Sequence, residues 1–127
     1  MGLSFLVFPS TEHTRFQHAL GAMHLATKAV SALRQQQIEI SDDEAEALYA
    51  CMLLHDLGHG PFSHALEHVL LPQNAHEDMS VALMKKLNDV FDGRLTLAIE
   101  MFTNTYSRGF FHQLISSHID LDRLDYL

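Results

Sequence analysis

The chain has 127 residues, of which 47% are hydrophobic and 19% charged, so its composition predicts one globular domain with a real core. Its formal net charge is −8, and its 8 basic residues form no block, which argues against a broad surface for nonspecific nucleic-acid binding. No apolar run reaches the roughly 18 residues that a membrane span requires. The start of the chain also lacks the basic region and small-residue cleavage site of a signal peptide.

The single cysteine, Cys51, lies within an apolar helical pattern and cannot form an internal disulfide. We expect a small buried residue here and not a nucleophile. A reducing cytoplasm is the expected compartment.

Helical patterns extend along nearly the whole chain, and only residues 3–8 alternate in the manner of a strand. The first helix is predicted to bury one face, because its apolar positions recur at steps of three and four. These positions are Phe16, Leu20, Met23, Thr27, Val30 and Leu33. Ser41 with Glu44 forms a capping-box pattern that predicts a second helix over 42–57, with Gly58 at its left-handed C-terminal position.

Pro61 predicts a short third helix over 62–71, and Asn74 with Glu77 predicts the start of the next, which Asp92 and Gly93 end. Further helices are predicted over 94–103 and 109–117, with a last one beginning near residue 119. The sequence therefore predicts an all-α fold, a compact bundle of about five to seven helices.

The run HDLGHGPFSH over residues 55–64 carries the strongest chemical signal in the chain. A histidine beside an aspartate offers the imidazole nitrogen and carboxylate oxygen that divalent metals bind. Burying Asp56 in a leucine-rich sequence is costly unless the carboxylate is paired or bound to a metal. Similar residues occur in segments 15–21, 74–77 and 120–126, and we expect the four segments to converge.

These segments resemble the HD-domain metal-dependent phosphohydrolases, and within them the deoxynucleoside triphosphate triphosphohydrolase branch. The resemblance extends from about residue 7 to the last residue, and the run over 55–64 is its most specific part. It implies a divalent cofactor (Mn, Fe, Zn, Ni or Mg) held by four ligands, which are His18, His55, Asp56 and Asp122. A lone histidine at position 18 would more often be a hydrogen-bonded core residue, and it is the other three segments that favour a ligand. Asp122 could be an ordinary first-turn helix residue like Asp120 and Asp125, and the resemblance selects it over these two.

The same resemblance implies roles in catalysis for three further residues. His76 matches the catalytic histidine, a candidate general acid for the leaving oxygen, because imidazole ordinarily titrates near neutral pH. Glu77 is a candidate to orient His76, although its position also fits a helix cap. His59 matches a histidine that contacts the substrate phosphates, or it orients a metal ligand instead.

Substrate binding is implied for four residues. Arg15 and Arg123 match phosphate-binding positions, and a guanidinium suits two phosphate oxygens; a surface ion pair is the alternative for each. His64 matches another histidine of the motif, which binds the substrate or instead orients a metal ligand by hydrogen bonding, and Tyr126 matches a tyrosine near the deoxyribose.

The function implied is metal-dependent hydrolysis of deoxynucleoside triphosphates to deoxynucleoside and triphosphate. One alternative is a phosphomonoesterase acting on nucleoside monophosphates or other small phosphoesters. Another is a regulatory or binding module that is stabilised by the bound metal and does not catalyse hydrolysis. The expected partner is a small phosphorylated substrate, a nucleotide, and we expect no binding to membranes or nucleic acids. Family members commonly assemble, so a homo-oligomer is also possible. Because relatives continue well past the last segment, residues 1–127 are expected to be a single HD domain from a longer chain.

Overall fold

A computed structural model describes residues 6, 7, 9, 13–59 and 75–126 of the chain. In this part of the chain the fold is all-α, as predicted, and contains no strand. Its helices, in chain order, are α1 (Arg15–Gln35), α2 (Asp42–Leu54), α3 (Ala75–Val90), α4 (Thr96–Phe102), α5 (Phe110–Ile115) and α6 (Leu121–Tyr126). None of them combines the length and apolar character that crossing a membrane would need.

Side-chain caps define where α1 and α2 begin. Thr14 and Gln17 form a capping box at the start of α1, in which each side chain accepts a hydrogen bond from the other residue's backbone N–H. Ser41 and Glu44 form the predicted capping box at the start of α2. Both arrangements satisfy N–H groups that have no partner within the helix.

The core is built where α1 packs against α2 and α6, and where α2 packs against α4. The predicted buried face of α1 is partly wrong, because Phe16 is 68% exposed and Leu20 is 38% exposed. Apart from His18, the buried residues of α1 are small or medium in size: Ala19, Ala22, Ala26 and Val30. An alanine stripe lets α2 approach α1 closely, so the packing face follows the small side chains and not the largest apolar ones.

The C-terminal end of α2 also differs from the prediction. The helix ends at Leu54 and not at residue 57, and residues 55–58 form a turn. Gly58 does not have a positive φ angle; a Cβ at this position would lie 2.0 Å from the backbone oxygen of His76. Gly58 is therefore required by the close approach of α3 to this turn and not by a left-handed helix end.

The remaining helices follow the predicted order with shorter bounds. Asp92 and Gly93 have φ angles of 53° and 81° directly after α3, so the predicted end of that helix is confirmed. Cys51 is completely buried, and burial raises the pKa of its thiol, which agrees with a packing role. The helix predicted over 62–71, and most of the alternating segment 3–8, lie outside the described residues.

Candidate metal centre

Three parts of the fold meet at the C-terminal end of α2. His18 projects from the first turns of α1, His55 and Asp56 lie in the turn that follows α2, and Asp122 lies in the first turn of α6. The His18 side chain is only 2% exposed and that of His55 only 8%, whereas Asp56 and Asp122 are partly open to solvent. The packing of α1 against both α2 and α6 thus brings residues that are far apart in the sequence into one cluster.

The four side chains that the sequence predicts as metal ligands lie close together. The Nε2 atom of His18 is 2.6 Å from Oδ1 of Asp122 and 4.0 Å from Oδ2 of Asp56. The Nε2 atom of His55 is 3.4 Å from Oδ1 of Asp122 and 3.6 Å from Oδ1 of Asp56. One ligand atom from each of His18, His55 and Asp56 lies within 4.8 Å of the others, which is close enough for a single ion to be shared.

His55 is held in the orientation of a metal ligand. Its Nδ1–H donates a 2.6 Å hydrogen bond to the backbone carbonyl of Met52, which fixes the ring and leaves Nε2 to face the cluster. Among the buried side-chain nitrogen and oxygen atoms of the described residues, this Nε2 is the one without a hydrogen-bond partner. A buried polar atom left without a partner is costly, so this nitrogen is suited to bind a metal ion.

The charges of the cluster favour a cation. The hydrogen bond that Asp122 accepts from His18 raises the pKa of His18 from 6.5 to about 9, against the opposing effect of burial. Burial lowers the pKa of His55, but Asp122 and Asp56 outweigh it and the net pKa lies above the ordinary value. Burial would raise the pKa of Asp122, yet its hydrogen bond with His18 and its charge interactions with both histidines hold that pKa well below its usual range. The negative charges of Asp122, Asp125 and Asp56 thus keep His18 protonated at neutral pH.

The donor set fits a divalent metal. Imidazole nitrogen and carboxylate oxygen together accommodate Mn, Fe, Zn or Ni, while Mg is bound mainly through oxygen. His18, His55, Asp56 and Asp122 would hold the ion, whose positive charge would replace the proton that His18 and Asp122 share.

Three further candidates lie next to this cluster. Arg15 donates a 3.1 Å hydrogen bond from its guanidinium to Oδ2 of Asp56. The Nε2 atom of His59 is 3.3 Å from Oδ1 of Asp56, and the ring of His59 stacks on that of His76 with centroids 4.5 Å apart. The structure therefore brings Arg15, His59 and His76 to the same side of the fold as the predicted ligands.

Other predicted site residues are not brought into the cluster or cannot be described. Arg123 is exposed and donates from its guanidinium to the backbone carbonyl of His118. Glu77 is exposed in the first turn of α3, and no hydrogen bond joins it to the described residues of the cluster. His64 lies outside the described residues, and for Tyr126 only the position at the end of α6 is described. The roles predicted for these four residues stay predictions.

Two residues at the centre were missed by the sequence analysis. Asp125 accepts a 2.6 Å hydrogen bond from Nδ1 of His18, and its spacing of three residues from Asp122 was the available signal. Ser80 is completely buried; its hydroxyl accepts from the backbone N–H of Gly58 and donates to the backbone carbonyl of His55. Ser80 thereby joins α3 to the turn that carries His55 and Asp56. No local pattern in the sequence signals that contact.

Comparison with known proteins places this geometry in a family. The family model described as "HD domain" matches residues 15–126. The chain is 37% identical to the uncharacterized protein YwfO of Bacillus subtilis over 134 residues, covering 100% of this chain and 30% of YwfO. It is 32% identical to the deoxynucleoside triphosphate triphosphohydrolase SAMHD1 homolog of Dictyostelium discoideum, covering 100% of this chain and 28% of that protein.

A solved structure is similar as well. The crystal structure of a phosphohydrolase from Bacteroides thetaiotaomicron superposes with a TM-score of 0.91 at 49% identity, covering 98% of this chain and 31% of that one. The chain thus spans less than a third of the length of each of these relatives. With the helical fold, the clustered His and Asp residues and a family match over 15–126, the chain belongs to the HD-domain family of phosphohydrolases.

Proposed function

We propose that the chain carries the catalytic centre of a divalent-metal-dependent hydrolase that converts deoxynucleoside triphosphates to deoxynucleoside and inorganic triphosphate. The observation that carries the proposal is the cluster of His18, His55, Asp56 and Asp122, in which the buried Nε2 of His55 has no hydrogen-bond partner. The named activity of the Dictyostelium relative supports the choice of substrate.

The metal, when bound, supplies a Lewis acid that polarises a phosphoryl oxygen and makes a water molecule nucleophilic at neutral pH. The reaction proposed is attack of water on the α-phosphorus and cleavage of the bond between that phosphorus and the 5′ oxygen. The 5′ oxygen leaves with a proton and triphosphate carries the hydroxyl oxygen of the water, so that one water is consumed in each turnover.

The chain's own residues supply the remaining parts of this mechanism. His76 donates a proton to the leaving 5′ oxygen, as a positioned histidine commonly does in general acid catalysis. His59, stacked on His76 and 3.3 Å from Asp56, lies between the proton donor and the metal ligands and contacts the phosphates. Arg15 is paired with Asp56 and 36% exposed, and its positively charged guanidinium is proposed to bind phosphate oxygens beside the metal ligands. His64, Arg123 and Tyr126 are proposed to complete the substrate site, and Glu77 to orient His76.

Phosphoryl transfer depends chiefly on positioning of the substrate and neutralisation of its charge, and the proposed roles of the metal ion and these side chains provide both. An acidic protein with a net charge of −8 would otherwise repel a nucleotide that carries several negative charges. We propose that the cation and Arg15 offset that repulsion locally. The expected setting is the reducing cytoplasm, where the single buried cysteine needs no partner.

Product analysis tests this function directly. The protein is loaded with Mn²⁺ or Zn²⁺ and incubated with the four deoxynucleoside triphosphates, ribonucleoside triphosphates and nucleoside monophosphates, and the phosphate products are separated by ion exchange. Release of triphosphate in step with deoxynucleoside is the expected result. Orthophosphate from monophosphates would identify a phosphomonoesterase instead. Bound metal without any turnover would identify a regulatory or binding module.

A further inference from the structure

We infer that Asp125 is a positioning residue of the metal centre, which holds the His18 ring with Nε2 directed at the metal position, and that Gly21 provides the space that Asp125 needs. This inference rests on the proposed metal site. It concerns how one ligand is oriented, and neither residue has a part in the function proposed above.

The ring of His18 is held at both nitrogens by carboxylates. Nδ1 lies 2.6 Å from Oδ2 of Asp125, while Nε2 lies 2.6 Å from Oδ1 of Asp122. Because the side chain is 2% exposed, water cannot substitute for either partner. A hydrogen bond from Nδ1 to a carboxylate keeps the proton on that nitrogen, so the lone pair of Nε2 is available to a metal.

His55 provides the comparison within the same site. Its Nδ1 is held by the backbone carbonyl of Met52, which any sequence would supply at the end of α2. His18 lies in the first turns of α1 and is held at Nδ1 by a side chain from another helix instead. Asp125 follows Asp122 by three residues on α6, so one face of that helix offers a carboxylate to each nitrogen of His18.

Gly21 explains how α6 comes close enough. It lies in the interior of α1, three residues after His18, where glycine is unfavourable by about 1 kcal/mol relative to alanine. Its φ angle is not positive, so backbone conformation does not require a glycine. A Cβ at position 21 would lie 1.9 Å from Oδ1 and 2.7 Å from Cγ of Asp125, so any side chain there would displace the carboxylate.

Zinc affinity measured by competition with a chromophoric chelator tests the inference. Asp125→Asn and Asp125→Ala are expected to weaken Zn²⁺ binding by about 10- to 100-fold, the usual loss when the partner of a metal-bound histidine is removed. Gly21→Ala is expected to weaken it to a similar extent because it displaces the same carboxylate. Leu124→Ala, an exposed position on α6, is the matched control and should bind Zn²⁺ like the wild type.

A double variant separates positioning from a general structural role. In the Asp125→Ala background the group that would collide with residue 21 is absent, so Gly21→Ala should cause no further loss of Zn²⁺ affinity. If Gly21→Ala weakens binding by the same factor in both backgrounds, or if Asp125→Asn binds Zn²⁺ as tightly as the wild type, the inference is wrong.

Nitrogen-15 spectroscopy of the histidine rings gives a readout that needs no variant. In the Zn²⁺-loaded wild type, His18 is expected to carry its proton on Nδ1 and the metal on Nε2. Zinc on Nδ1 would overturn the inference while leaving the metal site in place. If the wild type binds no Zn²⁺, or if Asp56→Ala binds it equally well, the proposed function fails as well, so the two failures are distinguishable.

Discussion

The two ends of α2 each hold a cluster of charged side chains, and the clusters differ in how completely they are paired. At the N-terminal end, Glu44 accepts hydrogen bonds from both Tyr106 and Arg108, at 2.6–2.8 Å, and from the backbone N–H of Ser41. Arg108 also donates to the backbone carbonyl of Glu39. This cluster is closed, because its acceptors and donors satisfy one another.

At the C-terminal end the pairing is incomplete. The carboxylates of Asp56, Asp122 and Asp125 surround His18 and His55, and the buried Nε2 of His55 has no hydrogen-bond partner. A closed network contributes to the stability of a fold, whereas a network with surplus negative charge and an unmatched nitrogen is suited to bind a cation. The incomplete pairing at the C-terminal end is consistent with the proposed metal site, whereas the complete pairing at the N-terminal end is consistent with a structural role.

The largest effect is expected from Asp56→Ala. Loss of this carboxylate should abolish stoichiometric metal binding and reduce hydrolysis by about 10³-fold or more, because the Lewis acid contributes several kcal/mol. Metal content by mass spectrometry and the rate of triphosphate release measure both effects. Asp43→Ala, which removes an exposed carboxylate in the first turn of α2, is the control. Equal metal content and rate in the Asp56 variant would refute the site assignment.

His76→Gln should separate chemistry from metal binding. We expect the variant to retain its metal and to lose about 10²- to 10⁴-fold in rate, the usual contribution of a general acid. Asp78→Asn, an exposed position on the same turn of α3, should retain both. A His76 variant that hydrolyses the substrate at the wild-type rate would remove this residue from the mechanism.

At the closed end of α2, Arg108→Ala should affect stability alone. The substitution removes two charge-assisted hydrogen bonds to Glu44, and we expect the free energy of unfolding to fall by about 2 kcal/mol. Urea denaturation measures the loss, with the exposed Arg94→Ala as control. Metal affinity should be unchanged. A clear loss of affinity would show that the two ends of α2 are coupled, which the comparison between them does not predict.

The smallest effects are expected from pH, and they have opposite signs at the two ends in the metal-free protein. Folding raises the pKa of His18 to about 9, so protonated His18 stabilises the folded state. This contribution is fully present below pH 6.5 and is lost as the pH rises through 9. The Glu44 pKa would be raised by burial, but its bonds to Tyr106 and Arg108 lower it below 4.5, so this contribution is present above pH 4.5 and is lost on acidification.

Thermal unfolding of the metal-free and metal-loaded protein across this range checks both signs. Metal should remove the loss of stability between pH 6.5 and 9, because the ion takes the place of the proton on His18. Glu44→Gln should flatten only the acid side of the profile. Identical alkaline profiles with and without metal would contradict the proposed exchange of proton for metal.

Much of this architecture could be predicted from the sequence because its signals are local. The Ser41–Glu44 capping box and the Asp92–Gly93 helix end depend on residues within one turn, and both are observed. The predicted ligands could be grouped because the adjacent pair His55 and Asp56 is chemically conspicuous and the family resemblance supplied the distant partners.

Features that depend on how helices approach one another could not be predicted. The size-based reading of α1 selected Phe16, which is exposed, because nothing local shows that alanines form the packing face. Gly58 was interpreted as a helix end, whereas the nearby backbone of α3 explains it. Asp125 resembled an ordinary helix residue until α6 was seen to pack on α1 beside His18.

Anomalous diffraction from crystals soaked in Mn²⁺ or Zn²⁺ tests the central claim most directly, because it locates the ion independently of activity. We predict a peak at the C-terminal end of α2, within bonding distance of His18, His55, Asp56 and Asp122. The absence of a peak at that position from a protein that binds metal stoichiometrically in solution, or a peak among other residues, would contradict the account.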